Sequence, residues 1–428
     1  MFYRLFRGAA SLALHLFFRL EAPVDPHGGL SLEGPVMYVG NHPNGLVDPG
    51  IVFVLSKRQV TFLAKEPLFR LPLLGAVLRG LGALPVFRKQ DGDGDTSKNE
   101  GTLSAATNAL VAGHAITIFP EGKSHSEPQL SALKTGAARI VLAAAEQGAP
   151  VHLVPVGITY EAKHLFHSAV HVEVGAPLAV EKGAEPRALT QAIADALRAV
   201  TLNLAARDEL PLLKTAEALF ALSSDGKVGA PERLKAFARG VQVLRDEQPA
   251  RLEALKAGLA QYNGRLALLR VSPDDLSSRY QPLTVTWFVV RNLLWLASLP
   301  LAALGLVTFV VPYYLPLVAV KAAKPEEDVE STVKVLTSMV VAPLWWALLT
   351  GLAWWSAGPL AGLAAFVATP VLALFTRLFV ERRLSALHDA RTFFVLLSRR
   401  RLKARLLDEG RGLASQVEAL VSELSSRV

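Results

Sequence analysis

Two stretches without a charged side chain dominate the sequence: 29 residues from Asn292 to Val320 and 42 from Val335 to Thr376. A helix needs about 20 apolar residues to cross the hydrocarbon of a bilayer, so these stretches hold three or four crossings. They also exceed the usual length of helices buried in soluble proteins. The reading is an integral membrane protein. Ser356-Ala357-Gly358-Pro359 is a turn signal that divides the longer stretch into two near-span lengths, a membrane hairpin. Pro300, Pro312 and Pro316 interrupt the shorter one, leaving either one long kinked span or a pair of short re-entrant half-helices. From Arg377 to Arg405 nine Lys/Arg face two acids, which puts the C-terminal tail in the cytoplasm. Arg265, Arg270 and Arg279, before the first span, favour the same side, and two cytoplasmic flanks require an even number of crossings.

Composition narrows the chemistry. The 428 residues include no cysteine, which excludes disulfides, thiolate metal sites, iron–sulfur ligation and thiol nucleophiles. The formal charge of +8 fits a phosphate-rich partner, whether nucleic acid, anionic lipid or a phosphorylated substrate. The basic residues gather beside the apolar stretches and no aromatic–basic recognition motif is present, which argues against nucleic acid. Met1 to Leu20 combines Arg4, Arg7 and Arg19 with Phe2, Leu5, Phe6, Leu12, Leu16 and Phe17. This reads as a basic amphipathic helix on the membrane surface, since a signal peptide would need an uninterrupted apolar core and an A-x-A-like cleavage site.

Between Pro35 and about Ala205 short apolar runs alternate with helical stretches. Val36–Val39, Val60–Leu63, Ala83–Val86, Ala115–Phe119, Val151–Ile158 and Val170–Val174 read as strands, and Ile51–Ser56, Ser97–Val111, Ser131–Gln147 and Pro186–Ala205 as helices. Such alternation predicts an α/β domain with a mixed or largely parallel sheet flanked by helices, its chemistry in the loops after the strands. The predicted organisation is an amphipathic helix over 1–22, the α/β domain over 23–206, an all-α connector over 207–281, C-terminal transmembrane helices over 282–380 and a basic helical tail over 381–428.

The sharpest motif follows the first strand: Gly40-Asn41-His42-Pro43-Asn44-Gly45-Leu46-Val47-Asp48-Pro49. His42 and Asp48 suit a general base and its orienting carboxylate. On an unbroken helix they would point about 240° apart, so the breaks at Pro43 and Asn44-Gly45 are what allow them to meet. Phe119-Pro120-Glu121-Gly122-Lys123-Ser124 ends another strand and Lys134-Thr135-Gly136 follows, a pattern of glycine, lysine and hydroxyl that suits an anion held by backbone N–H groups and a helix N-terminus. Between them Gly82 to Arg88 places an arginine just after a strand, where a guanidinium can take a phosphate through two hydrogen bonds.

These residues resemble the glycerolipid acyltransferases, the glycerol-3-phosphate and lysophosphatidate acyltransferases. His42 and Asp48 match the family's first motif, Gly82 and Arg88 the second, Phe119-Pro120-Glu121-Gly122 the third and Val154-Pro155-Val156-Gly157 the fourth, in order over about 115 residues. The resemblance covers Pro35 to about Ala205. Five residues rather than the usual four separate His42 from Asp48, a spacing that looks like a membrane-embedded branch acting on glycerol-3-phosphate or dihydroxyacetone phosphate. Lys123-Ser124 stands where many lysophosphatidate enzymes have Thr-Arg, so Lys123, Lys134 or Arg139 takes the missing arginine's part.

The resemblance implies acyl transfer without a covalent intermediate, from acyl-CoA or acyl carrier protein as co-substrate, to glycerol-3-phosphate or 1-acyl-glycerol-3-phosphate. No cofactor or metal is implied. His42 and Asp48 are the implied catalytic pair. Asn44, Arg88, Glu121, Gly122, Lys123, Ser124 and Lys134 are the implied substrate-binding set, Glu121 serving either the acceptor or the loop's architecture. The catalytic domain is expected on the cytoplasmic face, in contact with membrane lipids. The alternatives are a lysophospholipid-remodelling acyltransferase and a non-catalytic lipid-binding membrane protein.

Other chemistries fit less well. Ser131-Ala132-Leu133-Lys134 and Lys134-Thr135-Gly136 imitate the S-x-x-K and K-T-G elements of penicillin-recognising enzymes, but one lysine would have to serve both. His164 and His167 have metal-compatible spacing without a supporting carboxylate–histidine motif. Trp345-Trp346 and Trp354-Trp355 read as membrane-interface or helix-packing residues.

Overall fold

The computed structural model describes residues 1–87, 99–205, 209–223, 230–277 and 282–425. They form two compact units, Met1–Asn203 with Val318–Ser338, and Leu204–Leu317 with Met339–Val428.

The first unit begins with α1 (Phe2–Phe17) and runs through β1 (Phe18–Leu20), β2 (Val36–Gly40), α2 (Val47–Leu55), β3 (Val60–Lys65), α3 (Pro67–Arg70), α4 (Pro72–Gly80), β4 (Leu84–Val86), α5 (Asn99–Val111), β5 (Ala115–Ile118), α6 (Gly136–Glu146), β6 (His152–Tyr160), β7 (Ser168–Val174) and α7 (Pro186–Val200). The seven strands form one sheet in the order β1-β7-β6-β2-β5-β3-β4, parallel throughout except for the antiparallel β6/β7 pair. All five residues of β2 are buried, as a central parallel strand requires. Met37, Val39, Ile116 and Leu153 of the sheet pack with Leu110, Ile140, Val141, Ile193 and Leu197 from α5, α6 and α7 into one apolar core. All six expected strands are present.

The parallel pairing places the site. With β2 between β5 and β6, Val39 is opposite both Ile118 and Pro155. The loops after Gly40, Ile118 and Tyr160 therefore leave the same carboxyl edge of the sheet side by side.

Helix boundaries differ from the sequence reading in identifiable ways. The helix expected over 131–147 starts only at Gly136, because Ser131 N–H and Lys134 N–H are drawn into the preceding loop by Glu121 (2.8 Å) and the Pro120 carbonyl (2.8 Å). The last sheet-flanking helix ends at Val200, before the expected Ala205. The N-terminal helix stops at Phe17, and Phe18–Leu20 becomes a strand on β7. That helix is docked as well as amphipathic. Leu14 and Phe17 are buried, Tyr3 Oη accepts the Val60 N–H (3.0 Å), and Arg7 donates to the carbonyls of Val54 (3.0 Å) and Ser56. Its other face leaves Phe2, Leu5, Leu12 and Leu16 exposed.

The second unit is helical. It holds α8 (Glu209–Ser223), α9 (Ala230–Glu247), α10 (Pro249–Leu269), α11 (Pro273–Ser277), α12 (Pro282–Ala297) and α13 (Leu299–Thr308). Next in the chain come α14 (Val310–Ala323), α15 (Glu327–Ala357), α16 (Pro359–Ser398) and α17 (Arg400–Ser425). The end of α14 and the start of α15 fall in the stretch that belongs to the first unit. The buried Glu209 carboxylate ties α8 to α9 and α10 through Arg245 and Lys256 (2.9 Å).

By length and composition α15 and α16 can each cross a membrane, separated where the turn signal predicted, and their most apolar windows are almost wholly unburied within the chain. Val285–Ala297 and Leu299–Thr308, bent by 54°, count as a third crossing if taken as one broken span. Among the described residues the candidate spans thus number two or three, and four would require the 14-residue α14, about 21 Å long, to span a hydrocarbon core of about 30 Å. Trp346 stacks on Phe366 (4.4 Å) and donates to its carbonyl, a packing role, whereas Trp355 is exposed. The expected separate tail over 381–428 is in part the continuation of α16 to Ser398.

Candidate active site

The loop after β2 is fixed from its first residue. The Asn41 side chain makes a two-point amide contact with Ile158 of β6, donating to its carbonyl (2.9 Å) and accepting its N–H (2.7 Å). His42 follows, its N–H bonded to Glu121 Oε1 (2.8 Å) and its carbonyl accepting the His125 N–H (3.0 Å). Its ring stacks on Phe119 (4.4 Å between centroids, 20°). Gly40 allows this stack, since a Cβ there would stand 2.8 Å from the Phe119 ring.

Asp48 lies in the first turn of α2, where the helix dipole favours a carboxylate. Its side chain is fully buried and accepts three hydrogen bonds: His42 Nδ1 (2.9 Å) and the Asn44 N–H (2.6 Å) on Oδ2, and the Tyr160 hydroxyl (2.6 Å) on Oδ1. A carboxylate accepts only, so Nδ1 carries the imidazole proton and Nε2 presents a lone pair. No described residue occupies that nitrogen, and 13% of the His42 side chain is open to solvent. The geometry is that of a general base with its orienting acid. Burial, followed by the neighbouring Asp48 charge, pushes the Tyr160 phenol well above its ordinary range, so it remains a donor.

The Phe119–Ser124 loop is organised by Glu121, which is 4% exposed. Besides His42, it accepts the Ser131 N–H (2.8 Å) and the His125 ring. His125 Nδ1 accepts the Glu127 N–H (3.2 Å), so Nε2 is the protonated nitrogen. Ser131 Oγ lies 2.9 Å from that same Nε2. A serine–histidine–carboxylate relay needs the serine and the acid on opposite ring nitrogens. Here both meet one nitrogen, so Ser131 is not an activated nucleophile.

The expected substrate-binding set divides. Glu121, with its carboxylate taken up by three internal partners, braces the loops. Asn44 is fully buried instead of facing substrate. Its backbone N–H serves Asp48, while its amide lies near the Tyr160 hydroxyl without completing a hydrogen bond. Gly122 (φ +75°) gives its N–H to the Phe119 carbonyl (3.0 Å), so it offers room rather than a donor. The room is taken by Lys134, whose Nζ would lie 2.6 Å from a Cβ at Gly122. Lys123 and Lys134 are exposed, and among the described residues neither makes an ion pair. Ser124 follows in the same loop, partly buried. Arg88 lies outside the described residues. Asn41, His125 and Tyr160 were not singled out from sequence. Asn41 and His125 sit inside the motif segments, whereas Tyr160 carries no sequence signal beyond closing a strand.

Residues 22–159 match the acyltransferase family model, a segment that contains His42, Asp48 and the whole Phe119–Ser124 loop. The chain carries an acyltransferase domain. Glycerol-3-phosphate O-acyltransferase 1 of Saccharomyces cerevisiae is 25% identical over 266 residues, covering 57% of this chain and 34% of the yeast protein. The chloroplastic 1-acyl-sn-glycerol-3-phosphate acyltransferase LPAT1 of Arabidopsis thaliana is 25% identical over 149 residues, covering 35% of this chain and 39% of the plant protein. The crystal structure of the 1-acyl-sn-glycerophosphate acyltransferase PlsC from Thermotoga maritima aligns with a TM-score of 0.36 at 17% identity, over 46% of this chain and 78% of that one. The match with the yeast protein thus spans about a third of that protein's length. Within the acyltransferase domain the partners of the His42–Asp48 pair named above come from the carboxyl edge of the sheet.

Proposed function

We propose that this protein moves a fatty acyl group from an acyl thioester, acyl-CoA or acyl carrier protein, to a hydroxyl of glycerol-3-phosphate or 1-acyl-glycerol-3-phosphate at a membrane. The observation that carries the reading is the His42–Asp48 pair, with Nδ1 anchored at 2.9 Å and Nε2 bonded to none of the described residues. His42 Nε2 takes the hydroxyl proton as the oxygen attacks the thioester carbonyl. Asp48 stabilises the imidazolium so formed. The tetrahedral oxyanion collapses, the C–S bond breaks, and the thiolate leaves with the proton from His42. Lys134 and Lys123, beside Gly122, supply positive charge for the acceptor phosphate, and Arg88 joins them by its place in sequence. Fixing the phosphate aligns the hydroxyl, which lowers the entropic part of the barrier. The exposed apolar face of α1 and the candidate spans support action at a bilayer, and the excess of Lys/Arg over acids from Arg377 to Arg405 supports a cytoplasmic side for the catalytic domain.

The test is the purified full chain with one labelled acyl-CoA and, side by side, glycerol-3-phosphate, 1-acyl-glycerol-3-phosphate and lysophospholipids with larger head groups. Transfer to one of the first two, abolished in a folded His42→Ala variant, is expected. Transfer only to large-headgroup acceptors would reassign the enzyme to lysophospholipid remodelling. Binding of lysolipid without transfer from acyl-CoA or acyl carrier protein would overturn the enzymatic reading.

A further inference from the structure

The catalytic loop has a contact far outside the acyltransferase segment. The first turns of α15, up to Ser338, pack within the same compact unit as the sheet. Thr332, 6% exposed, accepts the Leu46 N–H on Oγ1 (3.1 Å) across 286 residues of sequence. Leu46 caps α2, two residues before Asp48. The adjoining Gly45 (φ +32°) has no space for a side chain. A Cβ would stand 2.8 Å from Thr332 Oγ1 and 3.2 Å from the Asp328 carbonyl oxygen.

Two further ties act on the neighbouring backbone. Fully buried Ser331 donates its hydroxyl to the Lys163 carbonyl, and Lys334 Nζ donates to the His164 carbonyl (2.8 Å) while paired with Glu330. Lys163 in turn donates from Nζ to the Pro43 carbonyl (2.8 Å) and to Ser126 Oγ. The turn between His42 and Asp48 is thus held at its Pro43 end through Lys163 and at its Leu46 end directly by Thr332. Five intervening residues make a longer connection than a single helical turn; the Asn44 N–H bond to Asp48 (2.6 Å) ties its middle, and the outside contacts restrict its two ends.

We infer that Thr332 is a positioning residue for the His42–Asp48 pair, and that the opening turns of α15 are part of the acyltransferase machinery rather than only the start of a membrane span. The inference rests on the acyl-transfer reading for its kinetic consequence, but its geometry does not. Without the Thr332 acceptor the Leu46 N–H is left unpaired in a partly buried site, and the turn gains freedom to move Asp48 relative to the imidazole. Misplacement of a base by a fraction of an ångström lowers kcat while leaving donor binding intact.

The experiment compares wild type, Thr332→Val and Thr332→Ser, all as the full chain in detergent. Valine keeps the shape and removes the acceptor, whereas serine keeps the acceptor. The expected result is a kcat about tenfold lower in the valine variant with KM for acyl-CoA within about twofold, most of the rate recovered by serine, and a thermal melt close to wild type. The NMR signal of the His42 Nδ1 proton, deshielded by its hydrogen bond to Asp48 and assigned by its loss in His42→Ala, is expected to move upfield in the valine variant as that contact lengthens. Unchanged kcat and an unchanged Nδ1 proton signal in Thr332→Val would overturn the inference. Equal losses in both variants that track a lowered melting temperature would overturn it too, by making the role structural. A wild type that transfers no acyl group, yet whose His42 Nδ1 proton signal moves in Thr332→Val, would reject the reaction and keep the positioning.

Discussion

The Tyr160 hydroxyl donates to Asp48 Oδ1 at 2.6 Å, on the carboxylate oxygen opposite the one that serves His42. The acid is therefore held from both sides, and its direction toward the imidazole depends on a residue at the end of β6. Tyr160→Phe removes one charge-assisted hydrogen bond while keeping the ring that packs edge-on against Phe18 (5.6 Å). The expected outcome is a kcat lower by about three- to tenfold with KM little changed, measured in the labelled thioester assay.

Alkaline unfolding gives Tyr160 a second readout. Burial first, then the Asp48 charge, raises its folded-state pKa well above the ordinary value near 10. A raised folded pKa contributes stability that is fully present below the unfolded value and is lost as pH rises past it, because the unfolded chain then releases a proton that the folded one keeps. Denaturant midpoints measured from pH 9 upward should fall more steeply for wild type than for Tyr160→Phe. Parallel curves would show that the phenol ionises freely in the folded protein.

Glu121 joins the two motif loops through the N–H groups of His42 and Ser131, both at 2.8 Å. Glu121→Ala leaves both donors without their partner at a cost of about 1–3 kcal/mol each where water cannot replace it, so a drop in melting temperature together with loss of turnover is expected. Glu121→Gln retains one acceptor oxygen but turns an amide donor toward the Ser131 N–H or the His42 N–H. It should fall between wild type and alanine in both measurements. A substrate-binding role alone would instead raise KM for the acceptor and leave the melt untouched.

How much of this was legible in sequence follows from the range of each interaction. The strands were visible because apolar runs bounded by Pro and Gly report burial locally, and His42 with Asp48 was visible because Pro43 and Asn44-Gly45 break the helix that would have kept them apart. Tyr160 was not, since its reach to Asp48 depends on β6 lying parallel beside β2, a pairing that no local pattern encodes. Thr332 lies just before the apolar stretch that opens at Val335 and reads only as the flank of a membrane helix. Asn44 was expected at substrate through the family resemblance and Gly122 because a glycine loop suits an anion, but a buried amide and an N–H already bonded to Phe119 depend on the closed loop conformation. The early start given to the helix before Gly136 has the same origin: helix propensity over 131–135 yields to the hydrogen bonds drawn by Glu121 and Pro120.

Close packing among the apolar helices makes a further prediction at Gly305. Its missing side chain faces Thr376, whose Oγ1 would overlap a Cβ there and whose own Cβ would stand 3.0 Å away. Small residues let membrane helices approach in this way. Gly305→Ala should destabilise the helical unit by about 1–3 kcal/mol, whereas adding Thr376→Ala should recover part of the loss because it removes the overlapping hydroxyl. Thermal melts of the single and double variants in one detergent provide the cycle, and additive effects would place the two residues out of contact.

Acid should destabilise the bundle that contains Glu209. Burial alone would raise its carboxyl, but hydrogen bonds from Lys256 and Arg245, and from the Ala205 N–H, outweigh it and hold the group below its usual range. A depressed folded pKa contributes stability that is present above the unfolded value, about 4.5, and is lost as pH falls through the folded one. The Lys256 partner is raised, chiefly by the same hydrogen bond, so its contribution is complete below about 10.5 and disappears only in strong alkali. Helical signal monitored from pH 6 down to pH 2 should therefore show wild type losing stability below about pH 4.5, while Glu209→Gln, already lacking the ion pairs, starts lower and declines less over the same interval. Equal slopes in the two proteins would mean that this carboxylate is paired no better in the folded state than in the unfolded one.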